Sequence, residues 1–172
     1  MTIIVMQIRC YYAMNYIKIV LVIWHVPQEV YMTRREYREH VFKMLFRVEF
    51  HDPEELDEQD VLYLEDSEEL TDREKDEIRE RVSNIIDKIP YIDSKINEKT
   101  QGWKTDRFGK VELSIIRLAI YEIEFDNKIP AKVSVNEAIE LAKKFSGDNA
   151  PAFVNGVLKN FIYKSVNPTT LR

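Results

Sequence analysis

Three arginines open the first strongly periodic segment of the sequence, at Arg34, Arg35 and Arg38. Thr33 and Glu36 have the spacing of a capping box, so the arginines occupy the first turns of a predicted helix. The helix dipole disfavours cations at this end by roughly 0.3–1 kcal/mol each, and nearby glutamates offset part of that cost. One interpretation is an exposed, salt-bridged turn. The other is a cluster that contacts phosphates, because guanidinium groups offer forked donors and a planar stacking face.

Side chains that usually carry catalysis or bind metals are few and isolated. The histidines are His25, His40 and His51, and none has metal-ligand spacing to another histidine, a cysteine or a carboxylate. The sequence contains no nucleophile elbow, Walker loop or dinucleotide fingerprint. The lone Cys10 cannot form an internal disulfide, which favours a reducing cytoplasm. We therefore predict a cytoplasmic protein that is not an enzyme and holds no cofactor or metal.

The overall charge restricts how a nucleic acid could bind. The chain has 172 residues and a formal net charge of −5, so no global positive field attracts RNA. Any affinity for RNA must come from a local cluster such as the arginine turn, by which we mean Arg34, Arg35 and Arg38. Acidic residues are concentrated at 52–77. They form either a solvated helix face and loop or a surface that repels RNA.

The densest helical pattern lies at residues 106–163, where apolar residues recur at helical spacing. The first helix of this segment is predicted from about Asp106 to Phe125. Its apolar residues lie on two sides, which is typical of a helix buried between others. The third helix starts near Asn149, and Gly156 lies in its middle, where glycine is unfavourable by about 1 kcal/mol relative to alanine. We therefore expect Gly156 to permit a close approach between two helices.

The second helix of the segment follows a break at Pro130. Ser134 and Glu137 repeat the capping-box spacing, which predicts Ser134 as the cap of this helix. Near its end, Lys143 and Lys144 are expected to be exposed cations on a helix separate from the arginine turn.

Similar signals upstream mark further helices. Asp52-Pro53 is a favourable helix start, and Thr71 with Glu74 forms another capping-box pattern. Pro90 should kink or break the helix that follows. The pattern amounts to about seven helices with short connections, so we predict an all-α fold.

Several motifs of the C-terminal half coincide, in order and spacing, with those of a known family. They are DRFGKVELSIIRLAIYEI, KIPAKVSVNEAIELAKKF and FVNGVLKNF. In these motifs the chain resembles the bacterial transcription antitermination factors of the NusB family, and the match extends weakly back to Thr33. The resemblance implies that the helices pack as two small bundles, side by side.

The resemblance also implies a function. Such a protein binds boxA-type single-stranded RNA on nascent transcripts, especially ribosomal RNA leaders, together with the ribosomal protein NusE in a complex on RNA polymerase. The resemblance assigns RNA contact to Arg34, Arg35 and Arg38. Further candidates are Phe153 and Asn155 for RNA, and Phe46 and Glu112 for the protein partner. Phe46 stands where the family often has tyrosine, so any hydrogen bond made by that hydroxyl is absent.

Two other functions stay open from the sequence. One is a self-associating helical scaffold that binds only protein, since some members of the family are thought to form a homodimer that covers the RNA face. The other is the RNA-targeting domain of an RNA cytosine methyltransferase. The second would require the chain to be a fragment, because 172 residues leave no room for an S-adenosylmethionine-binding domain.

Residues 1–31 differ in composition from the rest, with many apolar and aromatic residues and few charges. A membrane anchor is disfavoured because the uncharged run from Ile19 to Val26 is far shorter than the roughly 20 residues of a spanning helix. A signal peptide is disfavoured because no basic region precedes the apolar part. We favour a translation start at Met32, which makes 32–172 the RNA-binding helical domain. If residues 1–31 are made, they add a surface strand or helix.

Overall fold

The computed structural model describes residues 32–51, 53–100 and 104–162. The predictions for residues 1–31 and for a cap at Asp52 fall outside these ranges. Within them the chain is helical and contains no strand. None of the helices in these ranges is both long and apolar enough to span a bilayer. In chain order the described helices are α1 (Arg34–Arg47), α2 (Pro53–Glu65), α3 (Asp72–Ile86), α4 (Ile89–Lys99), a 3-10 turn (Thr105–Arg107), α5 (Lys110–Phe125), α6 (Ala131–Phe145) and α7 (Ala150–Ile162).

Capping boxes begin two of the helices, as the sequence predicts. At the start of α1, the Thr33 hydroxyl accepts a hydrogen bond from the backbone N–H of Glu36 at 3.2 Å. The backbone N–H of Thr33 donates in return to the Glu36 carboxylate at 2.8 Å. Thr71 and Glu74 repeat the arrangement at the start of α3, with distances of 3.3 and 2.9 Å. Each box satisfies two backbone donors that a helix otherwise leaves unpaired.

Helix α5 is the centre of the fold. Every residue from Leu113 to Ile120 is buried, and α5 packs against α1, α3, α4, α6 and α7. This confirms the prediction of a helix buried between others. The helix begins at Lys110 rather than near Asp106, because the 3-10 turn occupies the predicted first turn.

The other helices form two groups around α5. Helix α1 packs against α2 and α3, whereas α6 and α7 pack against each other and against α5. Pro90 lies in the first turn of α4, so the helical run breaks between Ile86 and Ile89, as predicted. Buried apolar side chains from all of these helices form one continuous core, to which α2 contributes Leu64. The described residues therefore fold as seven helices, one of which, α5, is buried among the others.

The predicted cap at Ser134 is wrong. Helix α6 begins at Ala131 with Pro130 as its N-cap, and no side chain caps it. Pro130 supplies the first carbonyl, which accepts from the backbone N–H groups of Val133 and Ser134 at 2.8 and 3.2 Å. Ser134 is 1% exposed, and its hydroxyl makes no hydrogen bond in the described structure. Ser134 has the sequence spacing of a capping residue, but it lies inside the helix and faces the core.

The close helix approach expected at Gly156 is also absent. A Cβ atom added to Gly156 would meet no atom within 4 Å. The residue is exposed and lies on the wall of an open cavity beside the end of α4. The glycine therefore carries its helix-propensity cost without any packing gain in the described structure.

Alanine at Gly156 should accordingly stabilise the protein. Because the site is helical and open, Gly156→Ala should raise the free energy of unfolding by about 0.5–1 kcal/mol, measured by urea denaturation. The matched control is Ala152→Gly, one turn earlier on the same helix and also exposed, which should lower it by a similar amount. A loss of stability in Gly156→Ala would contradict the open site.

Candidate nucleic-acid interface

The arginine turn divides into two exposed residues and one buried residue. Arg34 and Arg35 are exposed in the first turn of α1. Arg38 lies one turn later and is only 7% exposed. The three arginines are therefore not equivalent surface cations, although the sequence places them in one cluster.

Arg38 is held by carboxylates of two other helices. Its Nε donates to Oε1 of Glu122 on α5 at 2.8 Å. Its Nη1 lies 3.4 Å from Oε2 of Glu137 on α6. Glu122 is itself 3% exposed, and a buried charge of this kind is tolerated only when it is paired. Arg38 thus fastens α1 to α5 and α6 rather than standing free as an expected phosphate contact.

Arg35 shares the same carboxylate from the solvent side. Its Nε and Nη2 lie 3.4 and 3.5 Å from the oxygens of Glu137, while its side chain stays 60% exposed. The hydrogen bond and the negative charge of Glu137 raise the pKa of Arg35. Such an exposed pair is weak, because solvent screens the two charges. A phosphate can therefore compete for Arg35 at low cost.

Two grooves meet at the arginine turn. The larger has a volume of about 970 Å³ and passes between α1, α3 and the α5–α6 connection. Its cations are Arg34, Arg35, Arg38, Arg81 and Lys128. The smaller, of about 310 Å³, lies between α1 and α6 and shares Arg35 and Arg38 with the first.

The smaller groove brings in two lysines that the sequence analysis set apart. Lys143 and Lys144 line it together with Arg35. The ammonium of Lys144 is 2.6 Å from Glu39 of α1, and that of Lys143 is 2.7 Å from Glu140. The pair is exposed, as expected, but it adjoins the arginine turn because α6 lies alongside α1. Sequence spacing alone carried no signal of that contact.

The larger groove adds Arg81 and Lys128, which the sequence analysis did not identify. Arg81 Nη2 is 2.8 Å from Asp126 Oδ2. The backbone N–H of Lys128 donates to Asp126 Oδ1 at 3.0 Å. These bonds, opposed by burial, lower the pKa of Asp126. The short Asp126–Pro130 connection could have suggested a turn, but its position beside α1 depends on the packing of α5.

The candidates on α7 lie away from these grooves. Phe153 is half-buried, and its ring meets that of Phe108 at a centroid distance of 5.0 Å and an angle of 79°. It faces a separate cavity beside Lys99 and Thr100. Asn155 is half-buried on the same helix. Neither residue lines the grooves at the arginine turn, so the structure does not bring the five RNA candidates into one site.

The two candidates for protein contact lie on different helices, α5 and α1. Glu112, in the first turn of α5, accepts a short hydrogen bond from the Ser146 hydroxyl, which ties α5 to the end of α6. Phe46 is half-buried at the end of α1 and contacts Phe50 with ring centroids 4.9 Å apart. Phe50 is 60% exposed. Phe46 and Phe50 therefore give this end of α1 a partly exposed aromatic surface.

Histidine chemistry plays a structural part. His40 Nδ1 lies 2.8 Å from the Tyr63 hydroxyl, and burial lowers the pKa of His40. Burial also raises the pKa of Tyr63 to about 12. Among the described residues, no group of His, Cys, Asp and Glu could hold a metal ion.

Removing Arg38 should damage the fold, in contrast to its neighbours. Arg38→Ala leaves Glu122 buried without its guanidinium partner, so we expect a loss of about 3–5 kcal/mol in the free energy of unfolding. Arg34→Ala, which removes an exposed cation from the same turn, should change it by less than about 0.5 kcal/mol. Equal effects in urea denaturation would contradict the assigned role of Arg38.

Comparison with known proteins places this arrangement in a family. The NusB family profile matches residues 35–163. The transcription antitermination protein NusB of Agathobacter rectalis is 56% identical over 130 residues, which are 76% of this chain and 99% of that protein. The structure of T. maritima NusB matches with a TM-score of 0.65 and 31% identity over 77% of this chain and 92% of that one.

A further solved structure contains a relative together with its partners. It is a crystal structure of antitermination factors NusB and NusE in complex with dsRNA. It matches with a TM-score of 0.64 and 27% identity, over 77% of this chain and 96% of the matched chain. The matched family profile covers most of the chain, including the arginine turn from Arg35 onward and helices α1 to α7. The chain described here therefore belongs to the NusB family.

Proposed function

We propose that this protein is a transcription antitermination factor that binds boxA-type single-stranded RNA jointly with the ribosomal protein NusE. The observation that carries the proposal is the exposed pair Arg34 and Arg35 beside a groove, in a chain that belongs to the NusB family. The activity is binding, and it acts by holding RNA near RNA polymerase in the cytoplasm, with no covalent step. Support of ribosomal RNA transcription follows from the same role.

The distribution of charge supports local rather than diffuse binding. The net charge of −5 gives no general attraction to RNA. Arg34 and Arg35 are exposed, and Lys143 and Lys144 extend the cationic surface along α6. In contrast, Arg38 contributes by fixing the position of the turn, because its donors already face Glu122 and Glu137.

The protein partner is proposed to bind a different surface. The solved relative with NusE supports NusE as the partner, and Phe46 with Glu112 are the proposed contacts. Phe46 lies at the opposite end of α1 from the arginine turn, so RNA and NusE can bind at the same time. The complex on RNA polymerase and a homodimer in the absence of RNA are parts of the same proposal. Residues 32–172 are the proposed functional domain, since the family profile lies within them.

RNA binding should depend on Arg34 and Arg35. On single strands, the logarithm of affinity falls against the logarithm of salt concentration with a slope of about −0.7 per neutralised phosphate. We expect Arg34→Ala/Arg35→Ala to reduce the steepness of that slope by about 1.4. The measurement is a fluorescence anisotropy titration with a boxA-type oligonucleotide across several salt concentrations, with and without NusE. The same sequence as a duplex tests the preference for single strands.

The control for this test must avoid both grooves. Lys143 and Lys144 are unsuitable because they line the same groove as Arg35. Arg107 and Lys159 are exposed and line neither groove, so Arg107→Ala/Lys159→Ala removes equal charge elsewhere. If this control loses as much affinity as the arginine variant, the attraction is diffuse and the assigned site is wrong. Pull-down of NusE should be unchanged in both variants.

Glu137 should compete with RNA for Arg35. Its carboxylate occupies the position between Arg35 and Arg38 at 3.4 Å from each. Glu137→Gln removes that charge and keeps the shape of the side chain, so we expect RNA to bind about two- to fivefold more tightly. Glu80→Gln, an exposed change on α3 outside both grooves, controls for net charge. Weaker binding in Glu137→Gln would instead show that Glu137 orients Arg35 for RNA.

A further inference from the structure

An exposed aromatic cluster lies where the first turn of α4 meets the end of α5. Tyr91 is 45% exposed and Phe125 is 40% exposed. Their ring centroids are 5.7 Å apart at an angle of 70°. Tyr121, one turn before Phe125 on α5, continues the cluster at 5.4 Å and 33°. We call Tyr91, Tyr121 and Phe125 the aromatic platform.

Each ring of the platform has a cation over one face. The guanidinium carbon of Arg81 lies 4.8 Å from the centroid of Tyr121. The ammonium of Lys88 is 5.9 Å from Phe125, and that of Lys95 is 5.8 Å from Tyr91. Aromatic faces beside cations are the combination that binds single-stranded nucleic acid, because bases stack on the rings and phosphates pair with the cations.

Arg81 makes the platform continuous with the groove at the arginine turn. It lines the larger groove and also lies over Tyr121. Its ion-pair partner, Asp126, lines the groove too and directly follows Phe125 in the chain. The groove at the arginine turn and the platform therefore adjoin at Arg81 and at Asp126, the residue after Phe125.

Carboxylates pair with most of the cations near the platform. Glu98 pairs with Lys95 at 3.1 Å. Glu124 accepts a hydrogen bond from Tyr91, which raises the pKa of that hydroxyl, and lies 4.0 Å from Lys99. In the described part of the chain, Lys88 has no carboxylate within ion-pair distance. Lys88, beside Phe125, can therefore receive a phosphate without displacing a partner.

We propose that the aromatic platform stacks bases of single-stranded RNA that flank the segment held at the arginine turn. This inference rests on the proposed function, since it concerns the same strand. Tyr91 and Phe125 supply the exposed rings, Lys88 and Lys95 neutralise adjacent phosphates, and Arg81 joins the two parts of the path. The platform extends the length of RNA that one molecule binds and adds little sequence preference, because every base has a stacking face.

The test compares RNAs of two lengths. The short probe is a boxA-type single strand, and the long probes carry four added adenines at the 5′ or the 3′ end. The wild-type protein should bind one long probe more tightly than the short one. In Tyr91→Ala/Phe125→Ala, the affinity for that long probe should fall about fivefold or more. The affinity for the short probe should stay the same. An abasic extension, which keeps the phosphates, should give little of the gain.

Two further variants keep the result interpretable. Tyr91→Phe/Phe125→Tyr retains both rings and should keep the gain, which separates stacking from the fold. Val61→Ala/Leu62→Ala removes exposed apolar side chains from α2 and should also keep it. Melting temperatures of all variants are compared first, and retained binding of the short probe shows that the fold is intact.

The outcomes separate this proposal from the one it rests on. If the short probe binds in an arginine-dependent manner but no extension adds affinity in the wild type, the platform proposal is wrong and the proposed function stands. An equal gain in Tyr91→Ala/Phe125→Ala overturns it as well. If that variant keeps the gain but loses NusE or self-association, the platform is a protein surface. If the short probe does not bind at all, with or without NusE, both proposals fail.

Discussion

The buried ion pair between Arg38 and Glu122 is the constraint on which the arrangement of this surface depends. The two side chains are 9% and 5% exposed, with a 2.8 Å separation, and a charge at this depth is tolerated only when it is paired. The pair joins the start of α1 to the end of α5. Because Arg38 is fixed one turn after Arg34 and Arg35, it also fixes where these exposed cations project.

A second network of buried charged groups fixes the other end of the contact between α1 and α5. Arg117, on α5, donates to both oxygens of Asp93 on α4, at 2.8 and 2.7 Å. It also makes a short ion pair with Glu49, just beyond α1. Arg38, early in α1, pairs with Glu122, late in α5. Glu49, just beyond α1, pairs with Arg117, which lies earlier in α5. The two helices therefore run in opposite directions. Burial of apolar side chains stabilises the contact between the helices. The charged groups fix the alignment of one helix against the other, because a shift along the helix axis would leave them unpaired.

The sequence predicts the elements of the fold well and the composition of the site less well. Capping boxes at Thr33 and Thr71 are local hydrogen-bond patterns, so spacing alone identifies them, and the break at Pro90 is equally local. The burial of Arg38 could not be predicted, because its partner Glu122 lies 84 positions away in the chain. The predictions for Ser134 and Gly156 are wrong for a related reason. A serine that faces the core can have the same sequence spacing as a helix cap. A solvent-exposed glycine in a helix has the same sequence pattern as one at a close approach between two helices.

Pairing of most groove cations with carboxylates gives a physical account of how an acidic protein can bind RNA selectively. Arg35, Lys143 and Lys144 each have a carboxylate partner, so an isolated phosphate gains little by displacing one of them. A strand that engages several of these cations together gains from each contact, and it loses its translational freedom only once. A partner that holds the same strand raises its effective concentration at the groove in the same way. Under the proposed function, weak binding of stray RNA and strong binding with NusE therefore follow from one feature, the near balance of charge along the groove.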